Sequence, residues 1–200
     1  MPTLHSAIAD IHAIRTQIAR ATEFKGYGPR SVAATGVLAF LAAACQSHWM
    51  KGTNQDWPTF LLIWMVTAAV CVTLTTLEII TRTRAIHHGL AREMIEHAVA
   101  QIAPTLIAGL LLTLVFERFA RNILWLLPGL WQILFSLGLF ASRRLLPWSI
   151  VVVGAWYLAT GLSCIAIASD NGIVPPWAMG VPFGVGQLFL AAVLRSREGR

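Results

Sequence analysis

The side chains with most chemical scope in this sequence are polar groups set inside long apolar runs. Thr67, Cys71, Thr75 and Glu78 recur at spacings of four, four and three, which on a helix puts them on one face with the carboxylate at its tip. Such a stripe reads either as a proton or cation site ending at Glu78, or as an interfacial ion pair between Glu78 and Arg82 four residues on. Gln132 and Gln187 each fall about ten residues into apolar runs entered from the same side, which predicts similar depth near the middle. Two amides at one depth either bond across helices, contributing roughly 0.6–2 kcal/mol per contact, or line a ligand cavity. Gln101, Thr105, Ser136, Tyr157 and Ser163 extend this candidate polar interior.

Charged and metal-capable groups gather elsewhere. Glu117 and Arg121 are spaced to pair in a helical turn, with Arg118 between them, and this reads as a structural clasp. His87, His88, Glu93 and His97 are the densest run of metal-capable side chains; Glu93 and His97 share a helix face, but two ligands do not complete a site. Cys45, Cys71 and Cys164 lie far apart inside apolar runs and read as core-filling thiols, without a disulfide framework or metal motif. Catalysis is disfavoured on residue types. Ser163 has no histidine deep in another run to activate it, the six histidines lie in loops, tails or at run ends where they are poorly placed as haem ligands, and Asp10, Asp56 and Asp170 are scattered. The prediction is therefore a protein that is not an enzyme and carries no cofactor or metal.

The elements that must position these groups are six runs near residues 31–50, 57–80, 98–117, 122–142, 145–169 and 177–194, each close to the ~20 residues that span a bilayer. Hydrophobic residues make up 56% of the chain and charged ones 12%, against roughly 45–50% and about 25% in soluble domains. The predicted fold is all-α, a polytopic six-transmembrane-helix bundle preceded by an amphipathic helix. Its organisation is a leader over 1–30, the bundle over 31–195 and a short tail over 196–200. Twelve of the 15 basic residues fall on one side of the runs, leaving Lys51, Arg118 and Arg121 on the other. That positive-inside bias predicts both termini cytoplasmic. The net charge of +6 is explained by anchoring at helix ends and by attraction to anionic lipid, so nucleic acid is not an expected partner.

Within the leader, Leu4, Ala7, Ile8, Ile11, Ile14 and Ile18 share an arc at 100° per residue, with Asp10, Gln17 and Arg20 off it. The segment reads as an interfacial helix, or as a partner-binding or dimerising one. Between runs two and three, residues 81–97 form the one sizeable cytoplasmic connection, read as a helical continuation of its neighbours with Gly89 as a weak point. Leu4, Ile8, Ile11 and Ile18 of the leader and His87, His88 and Arg92 of this connection are the candidate cytoplasmic contacts. Trp49, Trp57 and Trp177 suggest an aromatic belt at the outer interface. Gly180 and Gly184, four apart, and the alanines of run one predict close helix packing. Pro104, Pro128 and Pro182 fall in the first two turns of runs three, four and six, where each is expected to bend its helix.

The segments IRTQIARATEFKGYG, LLPGLWQILFSLG and VPFGVGQLFLAAVLRSREG resemble a group of small, uncharacterised bacterial six-span membrane proteins. That resemblance implies a bacterial plasma-membrane protein of six spans and brings no activity or site residue; where Gln187 stands, such proteins often carry histidine. The expected role is a non-enzymatic sensor, accessory or assembly subunit, partnered by the lipid bilayer, by a cytoplasmic or membrane protein, or by further copies of itself. The alternative is a small-solute transporter or the substrate-binding membrane component of an importer. Six short spans and the Ala39-x-x-x-Ala43 spacing resemble vitamin-binding importer subunits in that respect. A lipid- or quinone-directed enzyme is a third, weaker reading.

Overall fold

A computed structural model of the chain describes residues 28–49, 56–86, 91–142, 149–170 and 172–198, without the side chains of residues 83, 85–86, 91–98, 101 and 197–198. The described residues form six long helices and no strand: α1 Pro29–Trp49, α2 Trp57–Ile86, α3 Ala91–Phe119, α4 Leu127–Ala141, α5 Ile150–Ala168 and α6 Trp177–Glu198. All six spans are long and apolar enough to cross a membrane, α4 together with the 3₁₀ turn Arg121–Leu126 before it. The protein is an all-helical membrane bundle. The leader, including Leu4, Ile8, Ile11 and Ile18, lies outside the described residues, as do His87, His88, Gly89 and the side chains of Arg92, Glu93, His97 and Gln101.

The 81–97 connection is largely a helical continuation of its neighbours, as its sequence suggests: α2 continues to Ile86 and α3 starts at Ala91. Other boundaries differ from expectation. With α3 starting at Ala91, Pro104 lies deep inside it rather than in its opening turns. Pro128 does not bend a helix: the chain leaves helical geometry at Ile123 (φ −116°, ψ 16°), and α4 begins afresh with Pro128 in its first two residues. There a missing N–H has no helical acceptor to disappoint. α5 begins at Ile150, five residues later than the apolar run suggests. At the start of α2, the Asp56 carboxylate accepts the Thr59 hydroxyl at 2.5 Å and its carbonyl accepts the Phe60 N–H at 2.9 Å, the first bond of the helix.

Consecutive helices pack against one another and α6 returns to α1, closing a ring, with an additional touch between α4 and α6. The closest pairs are α1 with α6 and α4 with α5. Glycine sets both. A methyl on Gly36 of α1 would sit 2.9 Å from the Gly184 carbonyl of α6, and one on Gly180 would strike Ala43. Across the second pair, methyls on Gly129 and Gly161 would lie 2.7 and 2.8 Å from each other's carbonyl oxygens. Backbones this close gain dispersion contacts that lipid cannot match, which is how helices associate where the hydrophobic effect is absent.

The residue contacts define two ends. The hairpin end carries the α1–α2, α3–α4 and α5–α6 connections and a core of Ala39, Ala43, Phe60, Trp64, Leu127 and Met179. Trp49, Trp57 and Trp177 all lie at this end, Trp49 and Trp177 exposed and Trp57 packed on the core. The terminal end, where α1 begins and α6 finishes, has its own core of Val32, Leu139, Ile150, Val153, Tyr157 and Leu190. Of the cysteines, Cys164 is buried and Cys71 half-buried, but Cys45 is exposed on α1 and fills no core. A thiol is apolar enough to face lipid from there.

Candidate functional site: side-chain bonds around Pro182

α6 contains a gap in its own hydrogen bonding. Pro182 has no N–H, so the Ala178 carbonyl four residues back lacks its usual helical donor. Gln132 of α4 supplies one: its Nε2 donates to the Ala178 oxygen at 3.0 Å and approaches Met179 Sδ at 3.7 Å. From α5, Trp156 Nε1 donates to the Pro182 carbonyl at 3.0 Å and the Tyr157 hydroxyl to the Phe183 carbonyl at 3.4 Å. Three side chains from two helices thus bond the backbone of a third around one proline. Phe135, Tyr157 and Phe183 cluster beside them with centroids 4.8 to 5.8 Å apart, Phe135 edge-on to Tyr157 and both tilted against Phe183. Gly186 makes room for the tyrosine, since a methyl there would lie 2.5 Å from its hydroxyl.

The expected Gln132–Gln187 pair does not form. Because regular helix in the fourth span starts only at Leu127, Gln132 sits near the hairpin end, level with Ala178 and Met179. Gln187 lies nine residues beyond Ala178 along α6, about 13 Å at ~1.5 Å per residue. Gln132 and Ser136 are completely buried, whereas Gln187 is half-buried. Gln132 Oε1 and Ser136 Oγ have no hydrogen-bond partner among the described residues.

The α2 stripe is half-buried along its length, and its hydroxyls turn back on their own helix: Thr67 Oγ1 donates to the Ile63 carbonyl at 2.8 Å and Thr75 Oγ1 to that of Cys71 at 2.9 Å. Partial burial of all four residues sets the stripe against the bundle and not wholly toward lipid. Glu78 at its tip lies on Gly28, where a side chain would have to occupy the place of the carboxylate. This sets an acidic side chain at the N-terminus of α1, the end of the helix dipole that favours acidic groups. Thr105 faces Gly138 across α3 and α4, and Ser163 is exposed with its hydroxyl on the Ala159 carbonyl.

Two braces carry no signal beyond a polar residue in an apolar run. Trp64 Nε1 donates to Gln46 Oε1 at 2.7 Å between α2 and α1, with Gln46 fully buried. Trp131 Nε1 donates to Thr113 Oγ1 at 3.1 Å between α4 and α3. Glu117 and Arg121 do pair, at 2.5 Å, with Arg121 Nε also on the Glu117 carbonyl at 2.9 Å. They border an open concavity of about 220 Å³ with Asp56, Trp57, Pro58 and Leu124. Ala39 and Ala43, the spacing that resembles importer subunits, are buried inside the bundle and meet Gly180 of α6. No protein-family model, curated protein or solved structure matches this chain, and its chemistry is read from the geometry above.

Proposed function

We propose that the chain is a non-catalytic accessory or assembly subunit of the bacterial plasma membrane, with both termini cytoplasmic. The observation that carries this reading is the unequal packing of the six helices. The spans of α2 and α3 bury 17% and 6% of their residues within the chain, against 33–44% for the other four. In lipid a helix is held by packing alone, and α3 obtains little of it beyond the Thr105–Gly109–Thr113 edge that meets α4. Its outward side chains Ile107, Leu110, Leu111 and Leu114 offer a continuous apolar face to a membrane-embedded protein. Meanwhile Gln46, Trp64, Trp131, Gln132 Nε2 and Trp156 are engaged in bonds between helices, as a scaffold requires. The carrier reading loses the Ala39–Ala43 argument, because those alanines already face α6.

Photo-crosslinking in native membranes tests this. A photoreactive residue at Leu110 or Leu114 should give a discrete protein adduct, and one at Leu162 or Ile167, equally exposed on α5, should give none. Lipid adducts alone at all four positions would overturn the reading. Impermeant thiol labelling in intact cells checks orientation: a cysteine at residue 198 should resist the reagent until the membrane is opened.

A further inference from the structure

We infer that Gln132 Oε1 and Ser136 Oγ hold an internal water, and that this water is a structural part of the Pro182 junction. Both side chains are entirely buried, and they follow one another by four residues on the buried face of α4. One turn apart on the same face, their Cβ atoms are about 5–6 Å from each other, so the two side chains are neighbours, and one water bonded at ~2.8 Å to each oxygen joins them. The two oxygens are complementary to it. The amide oxygen only accepts, so it takes one of the water protons; the hydroxyl both donates and accepts, so it satisfies the water's oxygen or its second proton. Gln132 cannot turn to satisfy itself, because its Nε2 is fixed on the Ala178 carbonyl that Pro182 leaves without a helical donor. Ser136 does not bond back to its own helix, unlike Thr113, Ser142 and Thr160, whose hydroxyls all return to the carbonyl four residues earlier. Its rotamer leaves that usual acceptor and presents Oγ to the interior. Buried polar atoms in native proteins are satisfied by protein or by ordered water, and the described residues offer a protein partner to neither.

The occupant is water rather than a larger solute because neither side chain reaches the surface and Gln132 is walled in: Gly161 of α5 lies against its Cβ, and Ala178 and Met179 of α6 close over its amide. The inference is independent of the role proposed above, as it concerns how α4 and α6 are joined and not what the bundle assembles with.

Ser136→Ala in the full chain, purified in mild detergent, gives the first test. An orphan hydroxyl would be better removed, whereas a hydroxyl that anchors a bridging water leaves that water half-bonded when lost. The melting temperature is therefore expected to fall, and a rise or no change would overturn the proposal. The second measurement does not depend on stability: infrared difference spectra of the wild type in nanodiscs, with H₂¹⁸O exchanged for H₂¹⁶O, should show an isotope-shifted O–H stretch of an isolated water. That band should vanish in the doubly substituted Gln132→Met, Ser136→Ala chain. Its absence from the wild type, or its unchanged persistence in the double variant, would rule the site out.

Discussion

The α4–α5 pair and the α2–α3 pair are both hairpins of apolar helices, yet one is locked and the other loose. In α4–α5, Gly129, Gly138, Gly154 and Gly161 are each covered by a neighbouring side chain or backbone carbonyl. Along the facing lengths of α2 and α3, long aliphatics such as Leu62, Val66, Leu74, Leu77, Ile107 and Leu114 point outward instead. The contrast is one of residue size, since both pairs are equally fit to enter lipid. Hydropathy decides whether a helix enters the membrane, and small residues decide what it holds once there.

The largest effect that separates the two regions should come from filling a glycine contact. Gly161→Leu would drive a side chain into the Gly129 carbonyl, so loss of monodisperse protein in mild detergent is expected, an overpacking cost of about 1–3 kcal/mol or more. Leu110→Ala on α3 should leave the melting curve of the isolated protein almost unchanged; equal losses at both sites would erase the distinction.

Next in size is Gln132→Leu, which strands the Ala178 carbonyl at a cost of about 1–3 kcal/mol. Pro182→Ala returns an N–H to that carbonyl, so in the Pro182→Ala background the same glutamine change should cost clearly less. Strictly additive losses in chemical denaturation would show that the amide serves something other than the proline gap. Trp64→Phe, which removes the indole N–H that Gln46 Oε1 accepts at the edge of the loose region, should cost about 1 kcal/mol. The smallest effect belongs to Arg121→Gln. Its ion pair with Glu117 is largely solvent-exposed at the arginine, so a change below about 1 kcal/mol that shrinks further in high salt is expected.

How much of this was legible in the sequence depends on what each feature needs. Six runs of bilayer length require only composition, and they correspond to the six helices apart from their ends. The small-residue interval Gly180–Gly184 correctly points to an interior face, because nothing larger than hydrogen fits beside Phe40 and Ala43. Helix pairing is not legible, since helices apolar on all sides carry no stripe that names a neighbour. The Gln132–Gln187 expectation failed for a related reason. Depth was counted along a run that appeared continuous, while the chain leaves helical geometry at Ile123 and resets the register. The partner of Gln132 was a backbone carbonyl exposed by a proline 50 residues later, a relation that no spacing rule contains.

The closure of the ring between α1 and α6 bears on how the protein is made. The most extensive partner of α1 lies more than 120 residues downstream of it, so during synthesis α1 enters the membrane long before its partner exists. Until then its alanine- and glycine-lined face, with Gly36, Ala39 and Ala43, meets only lipid or the insertion machinery. α6 in turn completes the bonding around Pro182 only with Gln132, Trp156 and Tyr157 already in place. Closure of this ring is therefore a late step that awaits the sixth helix, and chains stalled before Trp177 should be the ones that quality-control proteases find.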